Sequence, residues 1–176
     1  MKYYRGILLC TDILSRGIDI ENVDSVVQYD PPKTATSFVH RCGRTARLDR
    51  VGDAIIFLLP NEDAYVNFMF INQRVPIEEF KEDIFKKSNC EATIKKIQIL
   101  ASKERELYEK GKLAFVSYIR AYTKHYCSHI FRVNELDYAK LAQGFGLLHL
   151  PKMPEIKKGI EYKPFIDCDI SKIEYK

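Results

Sequence analysis

The stretch His40-Arg41-Cys42-Gly43-Arg44-Thr45-Ala46-Arg47 decides how this chain is read. Wound as a helix at about 100° per residue, it sets His40, Arg44 and Arg47 at i, i+4 and i+7, inside an arc of about 60°. Phe38, Cys42, Thr45 and Ala46 then point the other way, toward a core. Two arginines and a histidine on one face repel each other unless something negative lies in front of them. Arginine suits an anion because its guanidinium stays charged and its fork matches two phosphate oxygens at once. A solvated basic face on an amphipathic helix is the competing reading, and for an isolated pair of arginines it is the better one. A second stretch upstream, Thr11-Asp12-Ile13-Leu14-Ser15-Arg16-Gly17-Ile18-Asp19, shifts the balance toward a site.

Together the two stretches resemble motifs V and VI of the DEAD-box RNA helicases. The family writes them T-D-x-x-x-R-G-[LI]-D and H-R-x-G-R-[TA]-x-R, and every fixed position is matched. The intervening Val26-Val27-Gln28-Tyr29-Asp30-Pro31-Pro32 follows the same family habit, and His40 stands where DEAH-type and RecQ-type helicases usually carry Gln. The resemblance implies an α/β fold, here a partial RecA-like lobe with a parallel sheet and flanking helices. It assigns Asp19 to the ATP ribose and Gly17 to backbone contact with the nucleotide. Thr11 and Asp12 go to the RNA sugar-phosphate backbone, and Arg16 to a link between the RNA and ATP sites. Arg44 and Arg47 are assigned to the γ-phosphate, as arginine fingers opposite Mg²⁺ that neutralise charge in the transition state. His40 is assigned to coupling that chemistry to the other lobe. The implied cofactors are ATP and Mg²⁺, bound mainly by an N-terminal lobe. Taken alone, Asp19 reads as a helix cap or turn residue, the commoner role for a lone Asp.

Length and composition agree with this family without identifying it. A chain of 176 residues makes one medium domain or two small ones, and 46% apolar residues suffice for a core. A net charge of +4 permits nucleic acid as a partner without requiring it. Five cysteines (Cys10, Cys42, Cys90, Cys127 and Cys168), with no Cys-x-x-Cys pair, read as reduced thiols of a cytosolic or nuclear protein. No apolar run approaches the ~18–20 residues of a membrane span, and no signal-peptide pattern opens the chain.

Along the chain, Ile7-Leu8-Leu9-Cys10 is a short apolar run expected to be a parallel strand buried on both faces, with Thr11 and Asp12 at its C-terminal end, where open α/β sheets gather ligands. Val23 to Tyr29 reads as the next strand, stopped by Asp30-Pro31-Pro32. Thr34 is the expected cap of the helix carrying the basic stretch. Gly52 opens a third strand through Leu59, and Asn61 is the expected cap of a helix to about Arg74 with Tyr65, Phe68, Met69 and Ile71 on its apolar face. Strand, helix, strand, helix is the alternation of a RecA-like lobe. Three strands leave an unpaired edge and bare faces. No G-x-x-x-x-G-K-[ST] occurs, since Gly111-Lys112 is followed by Leu113, and there is no Asp-Glu-Ala-Asp. The expectation is therefore a C-terminal fragment of a longer helicase, unable by itself to hydrolyse ATP.

The expected domains are 1–75 for the helicase lobe, 76–89 for a charged connector, 90–150 for a helical extension and 151–176 for a basic tail. Ile77-Glu78-Glu79-Phe80 is a candidate for one more short strand. Helical periodicity predicts one helix over about 91–109, with Ile94, Ile97, Leu100 and Leu107 inward and Gly111 marking its end. A second is predicted over 112–126, with Phe115, Val116, Ile119, Tyr122 and Tyr126 on one face. A third, short helix follows the capping-box pattern Asn134-Glu135-Leu136-Asp137 and stops at Gly144. Ala114-Phe115-Val116-Ser117-Tyr118-Ile119-Arg120-Ala121-Tyr122, Ile130-Phe131-Arg132, Gly144-Phe145-Gly146-Leu147-Leu148 and Pro151-Lys152-Met153-Pro154-Glu155 resemble the helical extension of nucleolar DEAD-box proteins that act on large-ribosomal-subunit precursors.

His125 and His129, at i and i+4, have a zinc-compatible spacing, but no cluster supplies a third and fourth ligand, so they read as surface or RNA-facing residues. Arg120 and Lys124 flank the apolar face and are candidates for phosphate contact, with a solvated rim as the equal alternative. The expected function is that of the C-terminal portion of an ATP-dependent RNA helicase in large-subunit pre-rRNA processing. Its expected partners are pre-rRNA, the pre-ribosomal particle and the N-terminal lobe, with no membrane. Its expected place is the nucleolus of the nucleus, as a monomer. The alternative is an RNA- or pre-ribosome-binding module without enzymatic activity.

Overall fold

β-branched Val26 and Val27, and Ile55 and Ile56, form two short strands, β1 (Ser25–Gln28) and β2 (Asp53–Ile56), paired in parallel with Val26 opposite Ala54 and Gln28 opposite Ile56. This computed structural model describes residues 5–15, 20, 22–47, 50–80, 87–156, 159–164 and 166–175. The crossover between the strands is α1 (Ala35–Cys42), started by Thr34, whose Oγ1 accepts from Ser37 N at 3.1 Å as the sequence predicts. After β2, Leu59 N donates to Glu62 Oε2 at 2.8 Å in a short 3₁₀ turn, Pro60–Glu62, that places Asn61 inside the turn rather than at a cap. α2 (Ala64–Gln73) follows and ends in left-handed Arg74. Tyr65 and Met69 are its buried residues, while Ile71 faces outward, against expectation.

The expected first strand is not formed. Ile7 to Cys10 pair with nothing among the described residues, and Ile7 and Leu9 are fully or almost fully exposed. Apolar runs become strands only where a neighbour completes the ladder. Residues 77–80 likewise form no strand.

The remaining helices are α3 (Lys87–Ala101), α4 (Arg105–Thr123) and α5 (Tyr138–Gly144). The single helix expected over 91–109 is broken at 102–104, and α4 runs straight through Gly111. A Cβ at Gly111 would sit 2.8 Å from the carbonyl of Phe145, so this glycine serves close packing and does not end a helix. Leu100 is exposed, and Tyr126 lies beyond α4 and is exposed as well.

The chain divides into two compact units, Met1–Ile77 with His125–Ile130, and Glu78–Lys124 with Phe131–Lys176. The expected division is thus corrected at two places. Residues 125–130 belong with the first unit, and the segment expected as a separate basic tail belongs to the second. Arg105 N donates to the Glu174 carbonyl at 3.0 Å, and Ile173 is buried with Ala101, Tyr108 and Leu148. An aromatic chain, Phe115–Phe145–Tyr118–Tyr122–Phe131, with centroids 5.6–5.9 Å apart at each step, runs through that unit. Buried Gln98 spans it, donating to the Leu147 carbonyl at 2.7 Å.

Candidate nucleotide interface

The helix wound through the basic stretch stops halfway. α1 ends at Cys42 with Gly43 as its cap, and Thr45 N and Arg44 N bond back to Cys42 O and Arg41 O at 3.1 Å each. Thr45 causes the departure: its buried hydroxyl reaches the Val23 carbonyl at 2.6 Å and the Asp24 carbonyl at 3.0 Å, just before β1. Gly52 makes room for it, since a Cβ there would lie 2.0 Å from Thr45 Oγ1. Ala46 follows at φ +53°. Only His40 of the three basic residues is on the helix, and Arg44 and Arg47 sit on the turn, so the common helical arc is replaced by a tighter loop. Arg47 Nε donates to the Gly43 carbonyl at 2.9 Å, which closes that loop and fixes the root of its guanidinium. His40 is exposed; Arg44 and Arg47 are half-buried.

The residue that sequence reasoning missed is Arg41. Its Nε and Nη2 grip Asp12 Oδ1 and Oδ2 at 2.6 and 2.9 Å, and its Nη1 donates to the Asp30 carbonyl at 2.8 Å. A bidentate fork of this kind fixes orientation as well as distance. Nη1 also lies 3.4 Å from Oε1 of buried Gln28, whose Nε2 reaches Cys42 Sγ at 3.3 Å. Burial pushes the Cys42 thiol above its ordinary value, which keeps it a neutral partner. The signal available in the sequence was Asp12 itself, a carboxylate assigned to a phosphate backbone, where a cation is the expected partner.

Asp12 opens a 3₁₀ turn, Asp12–Ser15, in which Leu14 N bonds to Thr11 O at 3.2 Å. Thr11 and Asp12 are exposed. The structure therefore brings Asp12 to the end of the helix that leads into Arg44 and Arg47. Arg16, Gly17 and Asp19, assigned to the RNA link and the nucleotide, lie outside the described residues. In the second unit Arg120 is on α4 and exposed, and Lys124 is the exposed cap residue after it. His125, expected at the surface, is buried: its Nε2 is 2.9 Å from the Pro32 carbonyl and its Nδ1 accepts from Cys127 N at 3.0 Å. The Nδ1 bond fixes the tautomer, so Nε2 carries the proton and donates, and neither nitrogen has a lone pair to offer a metal.

Residues 2–49 match the family described as the helicase conserved C-terminal domain, and residues 104–153 match the C-terminal extension of ATP-dependent rRNA helicase SPB4-like proteins. The chain is 50% identical to the ATP-dependent RNA helicase DDX55 of Xenopus laevis over 99% of its own length and 29% of that protein. It is 49% identical to human DDX55 over 97% of its length and 28% of the relative, and 54% identical to DEAD-box ATP-dependent RNA helicase 18 of Arabidopsis thaliana over 89% and 26%. It thus spans little more than a quarter of these relatives. Among solved structures it is similar in fold to the DEAD-box helicase Mss116 bound to single-stranded RNA and UDP-BeF, with a TM-score of 0.63 at 24% identity over 80% of this chain and 27% of that one.

Proposed function

The chain belongs to the DEAD-box RNA helicases, and on that premise we propose that it forms the C-terminal portion of an ATP-dependent RNA helicase acting on large-subunit pre-rRNA in the nucleolus. The observation that carries the reading is the Arg41–Asp12 fork, which ties the turn bearing Thr11 to the turn bearing Arg44 and Arg47. A helicase must link an RNA contact to a nucleotide contact, and here one rigid side chain joins the two stretches. The match of residues 104–153 to an rRNA helicase extension supports the ribosomal assignment.

The donor set suits a phosphate: within residues 40–47 every ionisable side chain apart from the neutral Cys42 thiol is His or Arg, with no carboxylate to repel an anion. ATP would supply the γ-phosphoryl group and Mg²⁺ positive charge to balance it. Arg44 and Arg47 would hold that phosphate, Arg47 from a guanidinium already anchored on Gly43. Asp12 acts through Arg41, since both its oxygens are engaged there, while Thr11 faces the RNA backbone.

In the complete helicase, Arg44→Lys or Arg47→Lys lowers kcat by about 10²–10⁴-fold with far less change in ATP affinity, because the fork acts on transition-state charge. A rise in KM alone overturns the finger assignment. The absent Gly-Lys-[ST] loop favours a second reading for the 176-residue chain by itself, an RNA- or particle-binding module. That chain is expected to show no RNA-stimulated ATPase, and turnover that Arg47→Ala abolishes excludes the module reading.

A further inference from the structure

The second unit holds a groove of about 440 Å³, within the size range of small-ligand sites. Lys112, Val116 and Arg120 line one wall from successive turns of α4, at i, i+4 and i+8, and Lys152, Met153 and Glu155 line the other. The three cations form no salt bridge among the described residues. Lys112 is felt by Glu109, which lies on the same helix. Oε2 of Glu155 is buried and accepts no hydrogen bond among the described residues. The nearby Tyr138 hydroxyl gives its proton to the Val133 carbonyl at 2.9 Å instead.

A buried carboxylate oxygen without a donor is costly in a settled core and is the kind of group a ligand completes. Three properties of this groove have to be met together. The cations at the rim call for phosphate. The apolar floor of Val116 and Met153 calls for a flat or greasy group. The orphan acceptor calls for N–H. A nucleotide unit of single-stranded RNA has all three, in its phosphate, its base faces and its Watson–Crick edge. We propose that the groove between α4 and the Lys152–Glu155 segment takes one unstacked nucleotide of single-stranded RNA, with Glu155 accepting from the base, and that it favours guanine. Guanine is preferred because it alone sets imino and amino donors side by side against a carboxylate. The inference rests on the RNA-binding reading above and adds a base preference to contacts that otherwise read only the backbone.

The test uses the 176-residue chain and fluorescein-labelled ten-nucleotide RNAs, all uridine or uridine with one central guanosine, adenosine or cytidine. The expected result is tighter binding of the guanosine oligomer by about tenfold, the effect of one good carboxylate-to-base pair. Glu155→Gln and Glu155→Ala abolish that preference and leave the all-uridine affinity unchanged. Lys112→Gln and Lys152→Gln weaken every oligomer and each lower the slope of log affinity against log salt by about 0.7. Binding without base preference, or a preference that survives Glu155→Ala, overturns the inference while leaving the RNA-binding reading standing. No binding of any oligomer overturns both. Displacement of all four oligomers equally by an acidic peptide, without base preference, overturns it in favour of a protein partner.

Discussion

Ala46 carries a backbone conformation that costs an L-residue about 1–2 kcal/mol, at φ +53° between Thr45, whose hydroxyl is fixed, and Arg47, whose guanidinium is anchored. Glycine has no such penalty but a larger entropy in the unfolded chain, so the two effects oppose. The steric term is the larger, and Ala46→Gly is expected to stabilise the chain by up to about 1 kcal/mol, read as a raised urea midpoint at unchanged slope. A lowered midpoint would mean that the alanine methyl group contributes packing that outweighs the strain. At Arg41 the shape of the side chain matters as much as its charge. Lysine keeps the charge but loses the fork that fits Asp12, so Arg41→Lys in the complete helicase should uncouple RNA from ATP: basal turnover persists and its stimulation by RNA falls at least tenfold. Equal loss of both activities would show that Arg41 merely supports the turn.

Within the elements, local and distant causes separate cleanly. The start of α1 was legible because Thr34 and its partner Ser37 N are three residues apart. The capping box expected to open at Asn134 is instead a 3₁₀ turn, Val133–Glu135, and the cap of α5 is Asp137, whose carboxylate accepts from Lys140 N at 3.0 Å. Gly111 was misread because its reason lies far along the chain, at the Phe145 carbonyl. Helix propensity alone would make Gly111→Ala stabilising by about 1 kcal/mol. The 2.8 Å approach to a backbone oxygen reverses the sign, since backbone cannot swing aside as a side chain can. The expected outcome is a destabilisation of about 1–3 kcal/mol, measured by thermal unfolding. A more stable variant would show that α4 and the turn at Phe145 separate freely. The run Ile7–Cys10 failed for the same reason in reverse: its apolar pattern was read correctly, but a strand needs a partner and none is described. The turn holding Arg44 and Arg47 was hidden likewise, because the carbonyls of Val23 and Asp24 that draw Thr45 out of the helix come from another element.

At the scale of the whole chain, His125 is the residue whose neighbourhood the sequence conceals most completely. Its spacing to His129 suggests a surface pair, whereas its ring bonds to the carbonyl of Pro32, 93 residues away, and lies edge-on to Tyr65 at 6.4 Å. Burial lowers its pKa below the ordinary 6.5, and nearby Lys33 adds to the lowering, while the bond to Pro32 opposes it. Tyr65 is desolvated too, and burial holds its hydroxyl well above the ordinary value, so it stays neutral through this range. The sign follows from proton counting. Below pH 6.5 the unfolded chain takes up a proton on this imidazole that the folded chain resists, so stability is complete above about 6.5 and falls as the pH drops toward the folded pKa. A tenfold difference in proton affinity between the two states is worth about 1.4 kcal/mol. Protonation at Nδ1 also breaks the bond from Cys127 N, the local tie within residues 125–130. The expected outcome is a melting temperature that declines between pH 7.5 and 5.5 and a decline that is clearly shallower in His125→Gln, which cannot titrate. An undiminished decline in that variant would show that the acid sensitivity does not come from His125.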